Sequence, residues 1–251
     1  MPYKKPEFFD NEIYHIYNRG VEKRTIFEHE SDYYRFIFAL YECNNSDAVR
    51  VSQRIIDRRQ RLQGDTLQSR EIMVEILAFC LMPNHYHLVI RQLVDGGITN
   101  FMKKLGNSYV GYFNENHQRK GLGSLFQGPF KAVHVTNNNQ FFNLVSYVFA
   151  NPIGVLEPGW KENGVANVQD AIEFLSSYRW SSYLDSIGVK NFPSVSNRDF
   201  LLTVFGECDF VEDEKSFCSK GYNNIKKNVE GWISSKSNLA SGLNEISDLL
   251  L

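Results

Sequence analysis

Apolar and polar residues alternate along EIYHIYNRG (12–20), and the alternation stops at Gly20, which predicts a first strand. The period then changes. In SDYYRFIFALYEC, Tyr33, Phe36, Ile37 and Leu40 recur at i, i+3, i+4 and i+7, one stripe of a helix that Ser31 can cap. Residues 44–70 break the pattern, and Arg50, Arg54, Arg58, Arg59 and Arg61 mark a polar insertion. EIMVEILAFCLM (71–82) is almost continuously apolar and reads as a central strand. Pro83-Asn84 is a turn signal and HYHLVIR returns, so 72–91 reads as a hairpin. Ile98, Phe101, Met102, Leu105, Tyr109 and Tyr112 predict a second helix over 98–113. SLFQGPFKAVHV (124–135) reads as a further strand with a Gly-Pro interruption. A helix follows over 138–152, with Phe141, Leu144, Val145 and Val148 as its buried stripe and Pro152 ending it at Asn151. VQDAIEFLSS reads as a short helix, and the chain from 197 onward, including NRDFLLTVFG and NEISDLLL, reads as helical and acidic. The order strand, helix, strand pair, helix, strand, helix predicts an α+β fold with helices over one antiparallel sheet. IGVKNFPSVS (187–196) separates that core from an extension.

Composition narrows the classes. Hydrophobic residues make up 43% of the 251, so a large core is available and wholesale disorder is excluded. No run approaches the ~18 apolar residues of a membrane span, and the first twenty residues lack the apolar stretch of a secretory signal. Cys43, Cys80, Cys208 and Cys218 show no CxxC spacing, which fits a reducing, cytoplasmic compartment rather than a disulfide framework or zinc knuckle. The net charge of -2 conceals a gradient. Residues 97–137 carry Lys103, Lys104, Arg119, Lys120 and Lys131 against Glu115 alone, whereas 199–214 carry Asp199, Glu207, Asp209, Glu212, Asp213 and Glu214 with no basic residue. The basic middle permits a phosphate-binding surface, although charge alone equally describes a solvated face.

The candidate chemistry lies in CLMPNHYHLVI, 80–90. His85 and His87 are two apart on a strand, so both imidazoles point to one face and can hold one divalent cation, or simply line a polar surface. In SYVFANP, Tyr147 and Asn151 are four apart and share a helix face offset from the apolar stripe. There the tyrosine can present its hydroxyl to a site. The Asn amide oxygen suits Mg²⁺ or Mn²⁺. A metal held by His85, His87 and Asn151 would polarise a scissile phosphate, and Tyr147 would attack phosphorus to form a phosphotyrosine. Water activation by the His pair, without Tyr147, is the metallohydrolase alternative.

MPNHYHLVI resembles the His-hydrophobic-His motif of the single-tyrosine HUH transposases. HIYNRG, LFQGPFK, YVFANP and WSSY follow in the order of that family, and the resemblance spans about 12–185. It is nearest to the REP-associated tyrosine transposases, in which Asn, rather than Gln, stands four residues after the tyrosine. Pro129 stands where many of these relatives carry a basic residue.

The resemblance implies a ferredoxin-like or RRM-like antiparallel sheet with helices on its faces. It implies a nuclease domain over 1–185, with 44–70 inserted, and an acidic helical extension over 186–251. The activity implied is metal-dependent cleavage and rejoining of single-stranded DNA beside hairpins. Tyr147 would be the nucleophile that forms a 5′-phosphotyrosine, and His85, His87 and Asn151 the ligands of Mg²⁺ or Mn²⁺. Arg19, Lys103, Lys104, Arg119, Lys120 and Lys131 are candidate phosphate contacts, and Tyr17 and Phe130 candidate stacking platforms for bases. The partner would be hairpin DNA, bound by a monomer or a homodimer of a bacterial-type, nucleoid-associated protein. A domesticated hairpin-binding protein with little turnover is the alternative.

Overall fold

The computed structural model describes residues 5–46, 70–119, 121, 123–206 and 214–237. The Arg-rich stretch 50–61, Lys120 and NEISDLLL lie outside the described residues. The described strands are β1 (Ile13–Arg19), β2 (Val74–Met82), β3 (His85–Gln92) and β4 (Lys131–Val135). Helix α1 (Glu30–Glu42) lies between β1 and β2, and α2 (Gly97–Asn116) between β3 and β4. The sheet order is β2-β3-β1-β4, and β1 runs antiparallel to both β3 and β4. This βαββαβ succession with the two interior strands β3 and β1 is the ferredoxin-like arrangement. β4 is shorter than the apolar run suggests: SLFQGP forms a loop that docks on the end of β1, through Val21 N to Leu125 O at 3.0 Å and Gln127 N to Arg19 O at 2.9 Å.

Two compact units divide the chain. The first comprises residues 1–76 and 83–135. Tyr14 and Ile16 of β1 and Tyr86, Leu88 and Ile90 of β3 share one sheet face, fixed by pairings such as Tyr14 with Ile90 and Ile16 with Leu88. All five are buried, and Tyr86 meets Phe36 of α1 at 4.9 Å between ring centroids. Phe36 in turn packs on Tyr109 of α2. Tyr86, the residue between the two histidines, thus belongs to the helix-covered core. The other face of the same strands carries His15, Tyr17, Arg19, His85 and His87. Helix α1 starts two residues earlier than the Ser31 cap predicts. His29 is its N-cap, and the Asp32 side chain accepts from the Glu28 and His29 backbone N–H groups at 2.8 and 2.9 Å.

The second unit comprises 77–82 and 136–251. It contains α3 (Asn138–Ala150), the one-turn helices α4 (Ile153–Leu156) and α5 (Trp160–Asn163), then α6 (Val168–Ser177), α7 (Tyr183–Ser186), α8 (Arg198–Phe205) and α9 (Glu214–Ser237). Asn137 caps α3 by accepting from Gln140 N at 2.9 Å, and Pro152 opens the next turn. Ile225, Val229 and Ile233 of α9 are buried at intervals of four, and Ser146 of α3 donates to Asn228 Oδ1 at 2.6 Å. Residues from the expected extension 186–251 therefore pack on the tyrosine helix itself. β2 is an edge strand of the four-stranded sheet, not a central one, yet its residues 77–82 are buried. The reason is WSSY. Cys80 bridges to Ser181, Leu81 N donates to Trp180 O at 2.9 Å, and Phe79 N donates to Ser182 Oγ at 2.9 Å. These bonds satisfy the open edge.

Candidate active site

The Pro83-Asn84 turn sets the position of His85. Pro83 O accepts from Ile26 N and Phe27 N at 2.7 and 3.1 Å, and Asn84 O accepts from Gly20 N at 2.9 Å. Gly20 ends β1 where a Cβ would collide with Arg24 O, which explains the glycine of HIYNRG. Asn84 Nδ2 donates to Lys23 O, so its Oδ1 is left to accept from His85 Nδ1–H at 2.6 Å. That bond leaves the lone pair of neutral His85 on Nε2.

His87 has an equivalent support that the sequence reading missed. Tyr17 lies directly opposite His87 in the β1–β3 ladder, so His15 is the diagonal neighbour on the same face. His15 Nε2 lies 2.8 Å from His87 Nδ1, and both rings are almost fully buried. When His87 Nδ1–H donates to His15, the coordinating lone pair of His87 is also on Nε2. The His85 and His87 rings stand 5.0 Å apart at 89°. The donor set therefore fits a divalent cation: two neutral imidazoles on one sheet face, each with Nδ1 engaged by a neighbour. The signal available in the sequence was a third histidine, also on a strand and two residues from Tyr17.

Arg19 pairs directly with His85, and Lys131 with Tyr17, so both expected phosphate contacts share the face of the His pair. Arg19 Nε is buried with no hydrogen-bond partner among the described residues. Lys131 Nζ lies 5.9 Å from the Tyr17 ring. The remaining basic candidates are placed differently. Lys103 is exposed on α2, within the helix layer. Lys104 donates to Asn45 O and Ser46 O at 2.6 and 3.0 Å, closing the end of α1. Arg119 is buried after α2, and burial, with Arg24 nearby, pulls its guanidinium below its ordinary range. One face of Phe130 is taken by Lys5, 3.5 Å from the ring centroid.

In the second unit, Tyr147 and Asn151 are both buried, at 6% and 1% exposure. The expected offset face presenting the tyrosine is closed, because α3 is buried continuously from Leu144 to Ala150. Trp232 of α9 meets the Tyr147 ring at 6.3 Å, and Lys161 donates to its hydroxyl at 2.7 Å. Asn151 caps α3, and its carbonyl accepts from Gly154 N at 3.0 Å.

Residues 11–151 match the family described as "Transposase IS200 like". The chain belongs to the IS200-like transposase family. The match begins before β1 and ends on Asn151, so it takes in both histidines and the tyrosine of this family member. A solved structure, a REP-associated tyrosine transposase bound to a REP hairpin, is similar at 13% identity and a TM-score of 0.43, over 85% of this chain and 96% of the other. No curated protein matches.

One other group among the described residues brings metal-type ligands together: Glu28, His29 and His117, with ligand atoms within 4.8 Å of one another. His117 there lies 3.0 Å from Asp32 and 3.2 Å from Glu28. The cluster stands at the start of α1 and the end of α2. No described helix is long and apolar enough to cross a membrane.

Proposed function

We propose that this transposase-family chain cleaves and rejoins single-stranded DNA beside hairpins through a 5′-phosphotyrosine on Tyr147. The observation that carries the reading is the anchoring of His85 and His87 by Asn84 and His15, on a sheet face shared with Arg19 and Lys131. His85 and His87, with Asn151 as third ligand, would hold Mg²⁺ or Mn²⁺. An ion held there would supply Lewis-acid polarisation and charge neutralisation to a phosphate. Arg19 and Lys131 hold the DNA backbone beside it. Tyr147 attacks phosphorus, the 3′-oxygen leaves as a hydroxyl, and the bond energy is retained in the phosphotyrosine, so rejoining needs no nucleotide cofactor. The nuclease function is assigned to 1–185, and 186–251 is its extension.

The test is covalent trapping. End-labelled single-stranded hairpins from DNA flanking the protein's own gene are mixed with the protein and Mg²⁺ or Mn²⁺, with Tyr147→Phe as control. A denaturant-resistant, metal-dependent adduct is expected with the native protein and none with Tyr147→Phe, while hairpin affinity changes less than about threefold. Cleavage by Tyr147→Phe would remove the tyrosine from its role. The burial of Tyr147 favours a second reading, a domesticated hairpin-binding protein. It predicts tight hairpin binding with no adduct under either metal.

A further inference from the structure

We infer that Lys161 is the charge partner of the Tyr147 oxygen, both when that oxygen attacks and when it leaves; the inference rests on the tyrosine-nuclease reading above. A lysine ammonium has three donors and no acceptor. At 2.7 Å its Nζ can only donate to Tyr147 Oη, and it also stands 4.6 Å from the centroid of the same ring. The ammonium thus addresses the reacting atom directly.

Its position is built by its neighbours. Lys161 lies on the one-turn helix α5, whose first residue, Trp160, is buried at 2% exposure. Trp160 packs on Trp232 with ring centroids 5.8 Å apart, and Trp232 also flanks Tyr147. Gly159 opens the turn at φ 87°, a conformation that favours glycine. Gly164 closes it at φ 81°, against the backbone of Lys236 in α9. Two glycines and a buried tryptophan therefore fix a turn whose next side chain is an exposed lysine aimed at a buried phenol. An exposed lysine held this way adds little to stability, because ordering its long stem opposes the gain. Its effect is larger where charge develops on oxygen.

In the forward step the Tyr147 Oη–P bond forms and the P–O3′ bond breaks. The phenol loses one proton and the 3′-oxygen gains one, so the step balances without a co-reactant and Lys161 remains an ammonium throughout. In the reverse step the 3′-hydroxyl attacks, and the phenolate leaves towards the same ammonium.

Single-turnover cleavage and rejoining are measured on the flanking-DNA hairpins with Mn²⁺ for native protein, Lys161→Met, Lys161→Arg and Lys161→Ala, together with hairpin affinity and melting temperature. Lys161→Met, which keeps the stem, is expected to slow both directions about 10²–10³-fold, the range for loss of one donor to developing charge. Hairpin affinity and melting are expected to stay near native, Lys161→Arg to recover most of the rate, and added ethylamine to restore Lys161→Ala. Native rates in Lys161→Met overturn the inference and leave the nuclease reading intact. Equal losses in Met and Arg variants with lowered melting and no amine rescue also overturn it, as a structural role. Absence of an adduct with the native protein overturns the nuclease reading and this inference with it.

Discussion

At the residue scale, the shared face of His85 and His87 was legible because two residues apart on a strand means one face, whatever the rest of the fold does. His15 was not, because its contact with His87 depends on the β1–β3 register, which no local pattern specifies. Lys161 was hidden for a similar reason: it reaches Tyr147 across 14 residues, through a turn held by Trp160. The register makes a prediction about His15. Removing the acceptor from His87 Nδ1–H frees the ring to rotate and to exchange tautomers. His15→Ala is therefore expected to weaken Mn²⁺ binding about 10–100-fold, the usual effect of losing such a support. His15→Gln, whose amide oxygen can accept the same proton, should retain most of the affinity. Calorimetric titration of the protein without DNA measures this, and unchanged affinity in His15→Ala would remove His15 from the site.

At the element scale, helix and strand periods identified β1, α1, the hairpin, α2 and α3, since each has one face or stripe against a core. β2 was misread as central because a fully apolar run looks the same whether two strands flank it or one strand and a covering segment. WSSY is that cover, and its backbone partners were invisible to periodicity. The start of α1 was misplaced because Ser31 looks like a cap, whereas Asp32 does the work from within the first turn. Asp32 is 1% exposed and also accepts from His117 Nε2 and Tyr112 Oη at 3.0 and 3.1 Å. Burial raises its carboxyl, but the bonds from His117, His29 and Glu28 outweigh burial and hold it below the usual range. A carboxyl depressed in the folded state stabilises at pH values above its unfolded pKa, about 3.9, and that contribution is lost as pH falls through the folded value. Asp32→Asn, which removes the charge and leaves donors unpaired, should cost about 2–3 kcal/mol at pH 7. Urea unfolding checks the sign: the gap between native and Asp32→Asn should be constant above about pH 5 and shrink below about pH 4. A gap independent of pH would mean that the charge contributes nothing.

At the scale of the whole molecule, motif order revealed the family, but composition pointed away from DNA. A net charge of -2 is the sum of a basic middle and an acidic tail, and a sum says nothing about which side chains share a face. The ladder supplies that: Arg19 and Lys131 stand beside the His pair, while Lys103 and Lys104 lie on α2. If phosphates are held at the sheet face, binding is salt-dependent despite the overall negative charge, since each neutralised phosphate of a single strand releases about 0.7 of a counterion. Hairpin affinity should then fall linearly on a plot of log K against log salt. Arg19→Ala and Lys131→Ala should each make that slope shallower by roughly 0.7–1 and weaken binding evenly across hairpin sequences. Lys103→Ala should leave the slope as it is. Fluorescence anisotropy with hairpin oligonucleotides over a range of KCl concentrations separates the two surfaces. A slope lowered by Lys103→Ala but not by Arg19→Ala would move the DNA backbone to the helix layer, and the His pair would then lack the phosphate that its proposed role requires.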